Sequence, residues 1–245
     1  MRRYLPTDPL IYKNIQTDSD KKVVFLSGLG LNIRKQREGF LRRYALNQGV
    51  SYLALDYTRF TMENPQTPNY NLHQVLPKTL DLLAKDDKKL FLYGACFGGL
   101  MALKIAARIP ERVACVLALS PPFETPEFPW TDNTTNFLIK REKEMKRKKA
   151  NLKSMQQMIL FRNVFKMVAQ IQGREKIPTT YHGPVHIFHG QKDKFIPVEN
   201  SIHVQRALDN PNCTLHISPM TGHGFQNDFK LEIPIRVLDE HLRSL

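Results

Sequence analysis

The segment Lys89-Leu90-Phe91-Leu92-Tyr93-Gly94-Ala95-Cys96-Phe97-Gly98-Gly99 decides how this chain folds. Lys89 to Ala95 reads as a strand, and its unbroken apolar run Leu90 to Tyr93 fits burial on both faces. Phe97 to Arg108 then reads as a helix, stopped by Pro110. Cys96 stands at the joint. In a sharp strand-to-helix turn, bulky side chains two places either side of the joint would strike the strand and the helix. Gly94 and Gly98 avoid that collision, which is the G-x-nucleophile-x-G pattern. The helix N-terminus beneath Cys96 favours an anion formed there. Taken alone, these residues fit a small buried cysteine beside a glycine-rich turn about as well.

The alternation extends in both directions. Strands are expected at Lys22–Leu26, Ser51–Tyr57, Val113–Ser120, Val185–His189 and Cys213–Ser218. Helices are expected at Arg34–Gln48, Asn71–Lys85, Val198–Leu208 and Phe229–Leu245. The first twenty residues are polar and poorly patterned. Strands alternating with helices predict an α/β fold, a mostly parallel, doubly wound sheet with right-handed crossovers. Ligands in such sheets bind outside the carboxyl ends of the strands. Residues 121–182 break the pattern. They open on Pro121-Pro122, hold the single tryptophan, Trp130, and carry helical stretches at Asn136–Lys149 and Leu152–Ile171. This interval reads as a helical cap inserted between two parts of one core, residues 1–120 and 183–245.

Two further segments bear on Cys96. The strand Val185–His189 runs into Gly190-Gln191-Lys192-Asp193, which puts an acid just past a strand end. The strand Cys213–Ser218 leads to Thr221-Gly222-His223-Gly224-Phe225. An aspartate in a turn is usually a turn former, and a single histidine is usually surface or core. Cys96, Asp193 and His223 in this order, each after a strand, follow the chain order nucleophile, acid, base.

With these motifs the sequence resembles the α/β-hydrolase superfamily over about residues 22–120 and 183–245. The resemblance implies that the three loops converge as a triad. It also implies an oxyanion hole of two backbone amides, those of Phe97 and Leu29. Ser27 stands where the family usually has histidine before that glycine loop. Most members carry serine at the elbow. Dienelactone hydrolases and polyhydroxyalkanoate synthases resemble this chain in having cysteine there, and imply ester or lactone hydrolysis and acyl transfer from a thioester. Cys96 is either the native nucleophile or a trapping replacement for serine. The mechanism expected is proton removal by His223, attack by Cys96 sulfur, and a thioester acyl-enzyme. The leading expectation is a soluble hydrolase of carboxylic esters or thioesters. An acyltransferase with the same triad is the second reading, and a non-catalytic binding module with a basic cap is the third.

Composition bounds these readings. The chain has 245 residues, 42% hydrophobic and 24% charged, which excludes a disordered or fibrous chain. No apolar run reaches bilayer length, no secretory signal is evident, and three cysteines suit free thiols, so a cytoplasmic location is expected. The net charge is +13. Residues 121–180 hold twelve basic and six acidic residues. The run Lys140–Lys149 reads as a solvated helix face, or as a surface that draws an anionic carrier such as coenzyme A or an anionic membrane. No interleaved aromatic and basic platform for nucleic acid stands out. Met155, Met158 and Trp130 are candidate substrate-lining residues of the cap, although a methionine stripe as readily packs on the core.

No cofactor or metal is expected. Gly28-x-Gly30 lacks the third glycine of a dinucleotide loop. His182, His186 and His189 lack cysteine or carboxylate partners at ligand spacing and read as structural. Asp56, Cys115 and Cys213 read as core or structural residues.

Overall fold

The computed structural model describes residues 10–28, 34–57, 72–123, 131–147, 180–223 and 232–244. Within them the strands are β1 (Ile11–Ile15), β2 (Lys21–Leu26), β3 (Ser51–Leu55), β4 (Lys89–Ala95), β5 (Val113–Leu119), β6 (Val185–Gly190) and β7 (Cys213–Ser218). The helices are α1 (Arg34–Asn47), α2 (Leu72–Leu83), α3 (Phe97–Arg108), α4 (Thr131–Arg147), α5 (Val198–Leu208) and α6 (Glu232–Arg243). The seven strands form one sheet in the order β1-β3-β2-β4-β5-β6-β7. Every pair is parallel except β1 with β3. The α/β, mostly parallel arrangement expected from the alternation is therefore present.

The central strands are apolar throughout because both faces are covered. On one face, Leu26, Leu92 and Val116 pack with Leu100 and Ile105 of α3, Val75 of α2 and Val204 of α5. On the other, Phe25, Tyr93 and Leu117 pack with Leu41 of α1 and Val237 and Leu238 of α6. Burying a large apolar side chain contributes about 1.5–3 kcal/mol, so this double layer supplies most of what holds the sheet in place under the loops.

β1 is the element the sequence pattern did not reveal. Ile11-Tyr12-Lys13-Asn14-Ile15 is short and polar in part, because an edge strand has a partner on one side only. Its register shifts between Ile11 and Lys13. The helix expected from Asn136 starts earlier, at Thr131. Leu29, Trp130, Met155, Met158 and the helix expected at Leu152–Ile171 lie outside the described residues.

Candidate active site

β4 delivers Cys96 and α3 begins at the next residue. Cys96 has φ 52° and ψ −123°, a conformation that costs a non-glycine residue about 1–3 kcal/mol. Three backbone bonds hold it there. Its N–H donates to the Leu119 carbonyl at 2.7 Å, and its carbonyl accepts from Gly99 and Leu100 at 2.8 and 3.2 Å. The flanking glycines are required by close approach. A Cβ on Gly94 would lie 2.1 Å from the Gly98 carbonyl oxygen, and one on Gly98 would lie 1.9 Å from that of Leu26. The thiol is half-buried. The Phe97 N–H is the first of α3 and has no acceptor within the helix. The loop leaving β2 passes beside the joint, since a Cβ on Gly28 would come within 3.2 Å of the Cys96 Cβ.

Asp193 sits in a turn after β6 and its side chain is fully buried. Its N–H donates to the Gly190 carbonyl at 2.9 Å. Oδ1 accepts from the N–H groups of Phe195 and Ile196 at 2.9 and 3.0 Å. Oδ2 lies 2.7 Å from His223 Nδ1 and 3.4 Å from His189 Nε2. Burial by itself would raise this carboxyl. The charge of His223 and the hydrogen bonds of His189 and His223 outweigh it and hold Asp193 far below the usual carboxylate range.

His223 follows β7 and is 8% exposed. The Phe195 ring packs edge-on against it, with centroids 5.4 Å apart. Burial pushes the imidazole down, but the Asp193 carboxylate, the Cys96 sulfur and hydrogen bonds to both push it up to about 10. Asp193 occupies Nδ1, so Nε2 is the nitrogen left for Cys96. The two loops are joined by backbone, with Gln191 N–H on the Ser218 carbonyl and Lys192 N–H on that of Thr221, both at 2.9 Å. Cys96, Asp193 and His223, singled out in the sequence, thus meet at the carboxyl ends of β4, β6 and β7.

His189 is a supporting residue that the sequence reading grouped with the structural histidines. It is fully buried. Its Nε2 is 2.9 Å from the Ile196 carbonyl, which can only accept, so Nε2 carries the proton. Nδ1 then accepts from Ser201 at 2.6 Å. The ring therefore pins the turn that holds Asp193. The spacing His189-Gly190-x-x-Asp193 at a strand end was the available signal. Around His186, Cys115 and His241, from two other elements, bring ligand-type atoms within 4.8 Å of a ring nitrogen. Asp56 is buried, and its N–H donates to the Leu10 carbonyl at 2.8 Å.

With the geometry in hand, comparison with known proteins places the chain. The sequence model of the prolyl oligopeptidase family matches residues 62–233, more than half of the chain and all three loops. The chain belongs to that family. Its fold is that of the α/β-hydrolases. Mouse α/β-hydrolase domain-containing protein 10 superposes with a TM-score of 0.72 at 18% identity, covering 98% of this chain and 97% of the other. An esterase of Pyrococcus furiosus gives 0.65 at 18% identity, covering 100% and 94%. A monoacylglycerol lipase of Paleococcus ferrophilus gives 0.60 at 17%, covering 96% and 99%. Likeness at these identities is likeness of fold. No curated protein sequence matches the chain. Among the described residues no helix is long and apolar enough to cross a membrane.

Proposed function

We propose that the chain is a hydrolase that cleaves carboxylic esters or thioesters through Cys96, His223 and Asp193. The observation that carries this is the unbroken contact Cys96–His223–Asp193 at the strained joint after β4. His223 faces the sulfur and takes the Cys96 proton, and the Asp193 carboxylate holds the imidazolium that forms. The thiolate attacks the acyl carbonyl, forming the C–S bond. The carbonyl oxygen becomes an oxyanion that accepts the Phe97 N–H, with the Leu29 N–H as the second donor. Collapse breaks the bond to the leaving group, which takes the proton from His223. Neutral His223 then draws a proton from water, whose oxygen attacks the thioester. Release of the acid and return of the proton restore the starting pair. Asp193 holds the imidazole and its charge throughout.

Residues 121–182 are read as a cap over this site, of which α4 is the described helix. Along α4, Lys140, Arg141, Lys143 and Arg147 are exposed, while Leu138 is buried. That basic face suits an anionic leaving group such as coenzyme A. If so, KM for a coenzyme A thioester rises severalfold between low and high salt while KM for a neutral ester does not move. Equal salt response of the two substrates removes the carrier reading. The three free thiols suit a reducing, cytoplasmic compartment.

The test is turnover of p-nitrophenyl esters of rising acyl length, an acyl thioester and a peptidyl anilide. Ester or thioester turnover that disappears in Cys96→Ala supports the reading. Turnover of the anilide alone would move it to the peptidase chemistry that the family's name carries.

A further inference from the structure

A second cluster of reactive side chains lies well away from Cys96. Cys115 is the third residue of β5 and His186 the second of β6, both near the amino ends of parallel strands. Cys96 sits beyond the carboxyl end of β4. The His186 ring lies on the sheet face covered by α6, and His241 reaches it from the last turn of that helix. His186 Nε2 is 2.9 Å from His241 Nε2, and His186 Nδ1 is 3.1 Å from His216 Nε2. The Cys115 sulfur completes the group. One ligand-type atom from each of Cys115, His186 and His241 lies within 4.8 Å of the others. His216 is itself fixed, stacked on Phe188 with centroids 4.5 Å apart and planes 10° from parallel.

Two Nε2 atoms at 2.9 Å can share only one proton, so one ring must accept while the other donates. The same two atoms could instead share a cation. Around a tetrahedral zinc ion with Zn–N of about 2.0–2.1 Å, two imidazole nitrogens stand about 3.3 Å apart. The pair here opens by a few tenths of an ångström, both rings tilt so that their lone pairs converge, and the Cys115 sulfur, within 4.8 Å of the nitrogens, closes to about 3.6 Å. A hydrogen bond from His186 Nδ1–H to His216 Nε2 would select the tautomer that leaves Nε2 bare. That is how an outer partner orients a metal-binding histidine. A thiolate and two imidazoles are a soft, zinc-type donor set.

We infer that Cys115, His186 and His241 form a binding site for a zinc-class divalent cation, oriented by His216. On binding, the Cys115 S–H proton leaves to solvent. His241 moves its proton from Nε2 to Nδ1, and both Nε2 atoms then donate lone pairs to the ion. Water fills the fourth position, reaching it past the half-buried His186 and His241, since Cys115 is itself fully buried. The ion clasps α6 to β5 and β6.

The test uses the full chain carrying Cys96→Ala and Cys213→Ala, so that Cys115 is the single thiol. Chelator-stripped protein is titrated with Co²⁺ alone and followed by absorption. The expected result is saturation at one equivalent, with a thiolate-to-cobalt charge-transfer band and visible bands of a four-coordinate ion. His241→Gln, at a half-buried helix end, abolishes one-equivalent saturation and shifts the visible bands. Cys115→Ala removes the charge-transfer band, and His216→Gln weakens affinity about 10- to 100-fold. In a second measurement, Zn²⁺ raises the melting temperature of the parent chain and leaves that of His241→Gln unmoved. Absence of a charge-transfer band in the parent overturns the inference. So does the same saturation in His241→Gln, or an equal Zn²⁺ effect on both melting temperatures.

Discussion

Replacing Asp193 by asparagine changes one atom and should disable His223. Oδ1 of Asp193 accepts two backbone N–H groups, from Phe195 and Ile196. An asparagine oxygen keeps both bonds, which places its NH₂ where Oδ2 stood. That NH₂ then points at His223 Nδ1, 2.7 Å away, and at His189 Nε2, 3.4 Å away. His189 Nε2–H is fixed by the Ile196 carbonyl and cannot turn into an acceptor. His223 can, by moving its proton to Nε2. Its Nε2–H then faces Cys96 and no longer has a lone pair to take the thiol proton. The alternative rotamer gives up two backbone bonds at about 1 kcal/mol each. Loss of the carboxylate in comparable triads reduces turnover about 10⁴-fold, so a fall of about 10³–10⁴ is expected, or ~4–5 kcal/mol on the barrier. The assay is kcat on the best p-nitrophenyl ester, with circular dichroism and a melting curve as the folding control. Turnover within tenfold of the parent, in a folded variant, would refute the reasoning.

Other consequences follow from the same contacts. His223 binds its proton more tightly in the folded chain, so it binds more protons there than in the unfolded chain between about pH 6.5 and 10. Its contribution is fully present below pH 6.5 and is lost as pH rises toward 10. Urea midpoints should therefore fall between pH 7 and 9 more steeply in the parent than in Asp193→Asn, and parallel slopes would count against the ion pair. Gly98→Ala drives a Cβ against the Leu26 carbonyl at 1.9 Å and should cost about 3 kcal/mol or more, or prevent folding. Gly39→Ala is the contrast, because within α1 the Cβ meets only Arg43 Nη1 at 3.8 Å. It should gain about 0.5–1 kcal/mol in denaturant unfolding.

The legible parts of this protein are those where one local pattern has one physical cause. β4 and α3 stand at the residues expected, because a strand buried on both faces must be apolar throughout and Pro110 must end the helix. Asp193 and His223 were readable because parallel strands deliver their loops to one end of the sheet. β1 was not readable, since an edge strand with Lys13 and Asn14 has no two-sided burial to enforce a pattern. His189 was hidden by its neighbours. Alternation along the strand sends His186 and His189 to opposite faces, and only the fold brings one face to α6 and the other to Asp193. The group of Cys115, His186 and His241 was invisible for a different reason. Its members come from β5, β6 and α6, and no sequence spacing records a contact made by tertiary packing.

The central claim is that Cys96 forms a covalent acyl-enzyme, and intact mass after rapid mixing with an aryl ester tests it most directly. The account predicts a mass gain equal to one acyl group, carried by the peptide containing Cys96, absent in Cys96→Ala and decaying as the acid is released. An ester that turns over with no such adduct, or an adduct that persists in Cys96→Ala, would contradict it.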